Sequence, residues 1–248
     1  MSGNDKVCFV IAHKYFRGYP SYLKYYVDNI IKFYPKASII IVDNDSAYKE
    51  DVFRELYGLS NITFLENKSS SKFEIGAYTV GLDYILHEGF EKEIDYFVFS
   101  QDNFVLKKKY EFSQLHTNNV KACSIVNHRN DWAFWGICSK VLKSINLLDD
   151  LIYKCKLCWC NSFVVSKDKV MDLQNILKNI KIVTNHDRQA SERYLGRILF
   201  ELNNQKVYTL DKEHENLSYY CHTVTVNDTI DEYFCKLSQQ KTEYTKDQ

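Results

Sequence analysis

The sequence predicts an α/β protein built on an open, mixed but mostly parallel sheet flanked by helices. Short apolar runs such as residues 38–42 (SIIIV) lack polar alternation, as strands buried on both faces do. Between them, apolar residues recur at helical spacing. Several of the runs stop abruptly in Asp, Asn or His, the pattern of strands that end at a ligand-binding edge.

Residues 6–12 (KVCFVIA) form the first expected strand, ending at His13, Lys14 and Tyr15, and residues 22–34 the helix after it. The second strand, residues 38–42, runs into Asp43, Asn44, Asp45 and Ser46, and Val52, Phe53 and Leu56 suggest another helix. A short strand at 62–65 leads through a polar turn, 66–72, into a helix at 73–87. The fourth strand, 95–100 (DYFVFS), ends at Gln101, Asp102 and Asn103. The second half is less regular, with strands expected at 121–126, 132–138 and 162–165 and helices at 140–148 and 169–177. A helix over 189–202 sets Tyr194, Ile198 and Leu202 on one face, and β segments follow at 207–210 and 219–226. Only two prolines and eight glycines leave little material for linkers, so residues 1–238 read as one domain and 239–248 as a polar tail.

Apolar residues make up 45% of the 248-residue chain and charged residues 26%, which excludes a disordered or collagenous protein. Lys plus Arg, 32, balance Asp plus Glu, 32, so no broad surface for nucleic acid is expected. No apolar stretch approaches the roughly 20 residues of a membrane-spanning helix, and the start of the chain lacks a secretory pattern. A cytoplasmic protein with reduced cysteines is therefore expected. On that expectation the Asn-x-Ser/Thr triplets at Asn44, Asn61, Asn67, Asn216 and Asn227 are compositional.

Neither a Walker loop nor a G-x-G-x-x-G turn follows any of these strands, so bound phosphates need another source of positive charge. A divalent cation supplies it, taking oxygens from one or two carboxylates and the remainder from phosphate and water. Asp102 stands where such an ion is held, although an Asp after a strand also caps turns. At about 4 Å and an effective dielectric near 20, each unit-charge pair is worth roughly 4 kcal/mol.

The order of these elements resembles the GT-A glycosyltransferases, in particular their family 2-like members. The residues that carry the resemblance are Ala12-His13-Lys14-Tyr15, Asp43 in IIIVDNDS, the turn and helix from Asn67 through Phe73-Glu74-Ile75-Gly76-Ala77-Tyr78, and Ser100-Gln101-Asp102. It spans roughly residues 6 to 225 and implies transfer of a sugar from a nucleoside diphosphate, a UDP-sugar first, to a hydroxyl acceptor such as a glycan. The family's Asp-x-Asp keeps only its second acid here, with Ser100 in place of the first. The resemblance further implies His13, Tyr15, Asp43, Asp45, Asn67 and Gln101 on the donor nucleotide, and Asp102 with His222 on Mn2+ or Mg2+. Trp132, Trp135, Trp159 and Asn161 are the residues expected near sugar or acceptor.

The resemblance also implies a catalytic acid on the helix Ser191-Glu192-Arg193-Tyr194-Leu195-Gly196, so Glu192 is the expected base, ionised at neutral pH and able to accept a proton from the attacking hydroxyl, with inversion. Asp187 and Asp131 are its rivals, and a helix acid paired with Arg188 or Arg193 is the structural alternative. Those arginines either line a solvated helix face or contact the diphosphate, and His222 is either a ligand or a core residue. Cys155, Cys158 and Cys160 lack a second pair at zinc spacing and read as reduced thiols near the core. A nucleotidyltransferase and a non-catalytic carbohydrate-binding scaffold are the competing readings. The first lacks its Gly-rich loop; the second draws on the missing acid at Ser100.

Overall fold

The computed structural model describes residues 6–15, 21–46, 53–54, 56–106, 108–125, 127–128, 134–210 and 234–236. Its centre is a six-stranded sheet. Strands β1 (Val7–His13), β2 (Ser38–Asp43), β3 (Ile62–Glu66) and β4 (Tyr96–Gln101) run parallel, in the spatial order β3-β2-β1-β4. Strand β5 (Phe104–Leu106) leaves the sheet to pair with β10 (Phe234–Lys236). Strand β6 (Ala122–Ser124) forms the far edge, joined to β4 through the antiparallel β9 (Phe163–Ser166). A separate ladder joins β7 (Asn127–His128) to β8 (Leu157–Cys158). Among the described residues, no helix is long and apolar enough to cross a membrane.

Every residue of β1 is buried because it feeds two cores. Val7, Phe9 and Ile11 face α1 (Leu23–Phe33), packing with Tyr26, Val27 and Ile30. Cys8, Val10 and Ala12 face α2 (Phe73–Glu88), packing with Ile75, Tyr78 and Leu82. Period-two alternation across a strand with helices on both sides thus explains the unbroken apolar run. Burying each Val, Ile or Phe side chain contributes about 1.5–3 kcal/mol.

The second half adds α3 (Ser113–Thr117), α4 (Trp135–Ser144), α5 (Val170–Leu177) and α6 (Asn185–Leu202). Tyr194, Ile198 and Leu202 are buried along one face of α6, as their spacing predicts. Residues 135–138, expected in a strand, instead open α4. Cys138 and Leu142 are its buried positions, one turn apart, while Phe134 enters the helix at φ 59°. So short an apolar run carries no period of its own, and packing against α6 decided it. Of the expected β segment at 207–210, only Thr209 makes a bridge, to Ser124. Val52, Val126, residues 131–133 and the expected strand at 219–226 lie outside the described residues.

Candidate functional site

The parallel strands end on a common edge, and a cavity of about 610 Å³ opens there. Ala12, His13 and Lys14 come from the end of β1, Asp43 to Ser46 from the end of β2, and Gln101 and Asp102 from the end of β4. The turn after β3 and the first residues of α2, Asn67 to Glu74, form one rim, and Arg188 of α6 reaches in from the second half.

Two side-chain groups organise the strand ends. On the α1 side, His13 Nδ1 lies 2.6 Å from Asp102 Oδ2. A carboxylate only accepts, so the imidazole donates. Lys14 N–H adds a longer contact to the same oxygen at 3.4 Å. The His13 side chain is 0% exposed and that of Asp102 10%. Ser100, where the family pattern has an acid, is fully buried, shares a 2.8 Å hydrogen bond with the Tyr26 hydroxyl of α1, and is not among the cavity-lining residues. On the α2 side, Gln101 Nε2 donates to Glu74 Oε1 at 2.7 Å, and Arg188 Nε stands 3.5 Å from that oxygen. The Arg188 guanidinium also lies over the Phe73 ring, 5.9 Å from its centroid.

The rim is tightly built. Asn67 Nδ2 donates to Asn44 Oδ1 and to Ser71 O, while its Oδ1 accepts from Ser69. Its backbone N–H reaches Asp43 O at 2.8 Å. A Cβ on Gly76 would sit 2.0 Å from Ser71 O and 2.6 Å from Asn67 Nδ2, so only glycine lets the turn close on α2. Ile182 N–H donates to Ser71 Oγ, and Lys72 N–H to Ile182 O, which ties the approach to α6 onto the same rim. Asp43 Oδ2 accepts from Ser46 N–H at 3.0 Å, whereas its Oδ1 is buried with no hydrogen-bond partner. Tyr15 N–H donates to Ser46 Oγ at 2.7 Å, holding the β1 and β2 turns together.

Six of the donor-binding residues expected from sequence therefore gather at one edge: His13, Asp43, Asp45, Asn67 and Gln101 line the cavity, with Tyr15 adjoining. Two of the expected bases, Glu192 and Asp187, make their contacts with the chain itself. Glu192 Oε1 accepts from Cys160 N–H at 2.9 Å, in a turn where Cys160 and Asn161 both have positive φ. Asp187 closes the capping box of α6 with Thr184. Burial raises its carboxyl, but the Thr184 N–H and hydroxyl and the Val183 N–H outweigh this and hold it below the ordinary value. Neither acid is among the cavity-lining residues.

Trp159 is buried edge-on to Phe104, 6.4 Å between centroids, and Asn161 accepts from the Ser191 hydroxyl beneath the surface. Trp135 packs partly buried at the start of α4. Trp132, Asp131 and His222 lie outside the described residues. Cys155 and Cys158 are free and buried, and burial pushes the Cys155 thiol up to about 12 and that of Cys158 higher still.

Glu74 carries no individual signal in the sequence: it is a helix acid until the Gln101 and Arg188 contacts identify it. Arg188 was one of two candidates for a diphosphate contact. It lines the cavity, while Arg193 is buried, donating to Gln189 O and lying 5.7 Å from the Phe134 ring centroid.

For a divalent cation the described residues offer separate carboxylates and not a cluster. No three His, Cys, Asp or Glu side chains converge among them. Asp102 Oδ2 is engaged by His13, but Oδ1 makes no hydrogen bond among the described residues, and the carboxylate lines the cavity. A single carboxylate oxygen combined with phosphate oxygens and water is a donor set that Mg2+ and Mn2+ accept. The residues fit a cation shared with a diphosphate, not one caged by protein alone.

No protein-family model and no curated protein matches the chain. Among solved structures, it is similar to a mannosyltransferase from Pyrobaculum calidifontis in complex with GDP-Man and Mn2+, with 12% identity and a TM-score of 0.42 over 68% of this chain and 46% of that one. It is also similar to the mannosyltransferase Ktr4p from S. cerevisiae in complex with GDP, with 10% identity and a TM-score of 0.43 over 82% and 67% of the two chains. The chain thus spans less than half the length of the first of these proteins. Scores this low leave the chemistry of the site to its own residues.

Proposed function

We propose that the protein is a glycosyltransferase of the GT-A type, moving a sugar from a nucleoside diphosphate to a hydroxyl acceptor. The observation that carries this reading is the strand-end cavity, in which Asp43, Asp102, Glu74 and Arg188 meet from four different elements. A volume of about 610 Å³ lies in the usual range of small-molecule sites, roughly 300–1,000 Å³. Asp43, with one buried oxygen unpaired, suits the hydroxyls of a nucleoside. Arg188 and the nearby Lys14 and Lys72 suit the diphosphate. When bound at Asp102, a Mn2+ or Mg2+ ion stabilises negative charge on the departing diphosphate.

In this reading the acceptor oxygen forms a bond to the anomeric carbon as the sugar–phosphate bond breaks, and a protein carboxylate takes the hydroxyl proton. We assign that proton to Glu74, because it lines the cavity; Glu192, the acid expected from sequence, is the alternative one helical turn beyond Arg188.

Titration with UDP, GDP and dTDP, with Mn2+ and with chelator, tests the proposal, and binding of at least one nucleotide is expected. If none binds under either condition, a non-catalytic scaffold explains the fold better. Release of pyrophosphate from a sugar 1-phosphate and a nucleoside triphosphate would identify a nucleotidyltransferase instead.

A further inference from the structure

His13 is the least accessible polar side chain at the cavity, and its placement gives it a task distinct from touching a nucleotide. Its Nε2 is buried without a hydrogen-bond partner, and the ring leans on Phe53 at 5.4 Å between centroids, which in turn packs at a tilt against Phe64 at 4.7 Å. The hydrogen bonding of the imidazole is thus directed at Asp102 alone. Both backbones are fixed by their neighbours: Asn44 N–H donates to His13 O, and Asp102 N–H donates to Ala12 O. The remaining freedom of the Asp102 carboxylate is rotation about its own side chain. The short contact from Nδ1, backed by the aromatic pair, removes that freedom and leaves Oδ1 as the oxygen without a hydrogen bond.

We infer that His13 is a positioning residue for Asp102: it holds one carboxylate oxygen so that the other is presented to a divalent cation shared with the ligand's diphosphate. The inference rests on the reading of the cavity as a nucleotide-sugar site. Carboxylate ligands with a single open oxygen depend on such partners for orientation, because a freely rotating carboxylate loses alignment on each turn.

Two amide variants separate positioning from simple packing. The amide nitrogen of His13→Asn falls near the place of Nδ1, within reach of Asp102, whereas that of His13→Gln falls near Nε2, directed away from it. The measurement is the Mn2+ dissociation constant at saturating UDP or GDP, read from the electron paramagnetic resonance of free Mn2+ in the full-length protein. Circular dichroism melts run alongside. His13→Gln is expected to weaken Mn2+ binding roughly tenfold or more, and His13→Asn to stay within about threefold of the parent, the scale typical of outer partners of metal ligands.

Equal Mn2+ affinity in His13→Gln and the parent would overturn the inference. So would equal losses in both variants with unchanged melting, since a packing role does not distinguish the two amides. Nucleotide bound equally well with chelator and with Mn2+, and no Mn2+ retained, would also overturn it while leaving the glycosyltransferase reading in place. Absence of nucleotide binding in every arm would remove that reading itself.

Discussion

The two halves of the chain use their carboxylates differently. In the parallel half, β1 to β4, the acids that follow strands reach the cavity: Asp43, Asp45 and Asp102 lie at strand ends, joined by Glu74 on the first turn of α2. In the half from β6 to α6, acids are engaged in holding the chain together. Asp149 pairs with Arg197 at 2.9 Å, Asp187 caps α6, Asp168 accepts from Ser166, and Glu192 takes the Cys160 N–H. A strand end points its polar side chains past the last ladder hydrogen bond, where the contacts they make, such as His13 on Asp102 and Ser46 on Asp43, still leave them lining the cavity. A helix within a packed half finds partners at every turn. An acid's place in the topology therefore says more about its availability than its neighbours in sequence do.

The comparison breaks first at Asp102. Asp102→Ala should reduce sugar transfer about a hundredfold or more, on the scale of losing one electrostatic stabiliser of a transition state. Steady-state rates with the nucleotide sugar that binds best provide the measurement, and native-like activity would show the strand-end acid to be idle. Glu74→Gln and Glu192→Gln sharpen the contrast between halves. The first should lower kcat about a hundredfold with nucleoside diphosphate affinity retained, the loss expected of a general base. The second should cost less than tenfold and act mainly on thermal stability. Reversed effects would return the acceptor's proton to α6.

Two glycines separate site from scaffold at smaller cost. A Cβ on Gly196 would fall 1.9 Å from Lys156 O, and one on Gly76 2.0 Å from Ser71 O. Each Gly→Ala change should destabilise by about 1–3 kcal/mol in urea titration, as overpacking does. Only Gly76→Ala should also weaken nucleotide binding, because only Gly76 adjoins the rim.

The smallest effect concerns pH. The Arg197 guanidinium, hydrogen-bonded to Asp149, holds that carboxyl below its ordinary value of 3.8. Its contribution to stability is therefore complete above pH 3.8 and is lost as pH falls through the lower folded value. Asp149→Ala should remove less than about 1 kcal/mol at neutral pH, since the acid is nearly half exposed and solvent screens the pair. Acid melts of the variant should show a shallower decline than those of the parent.

Much of the parallel half was legible because an unbroken apolar run ending in Asp has few other meanings. Strands β1 to β4 begin and end within about a residue of the expected positions. The cavity-lining role of strand-end residues followed from that order alone. The helix starting at Trp135 was not legible, because the run at 132–138 is apolar without a period and α6 supplies the face on which Trp135–Ser144 packs. The choice of Arg188 over Arg193, and its meeting with Glu74, were out of reach for a related reason. That meeting depends on Ile182 docking on Ser71 and Lys72, a contact between residues more than a hundred positions apart.

That docking joins the ceiling of the pocket to the helix bearing its guanidinium as one mechanical piece. A ligand that stiffens the turn after β3 also steadies the start of α6, so distant substitutions beneath residues 180–184 will be felt as changes in affinity. The tightest point of this piece is a spot where a hydrogen atom fits and a methyl group does not, at Gly76. Any relative that keeps this pocket must keep that bare position too.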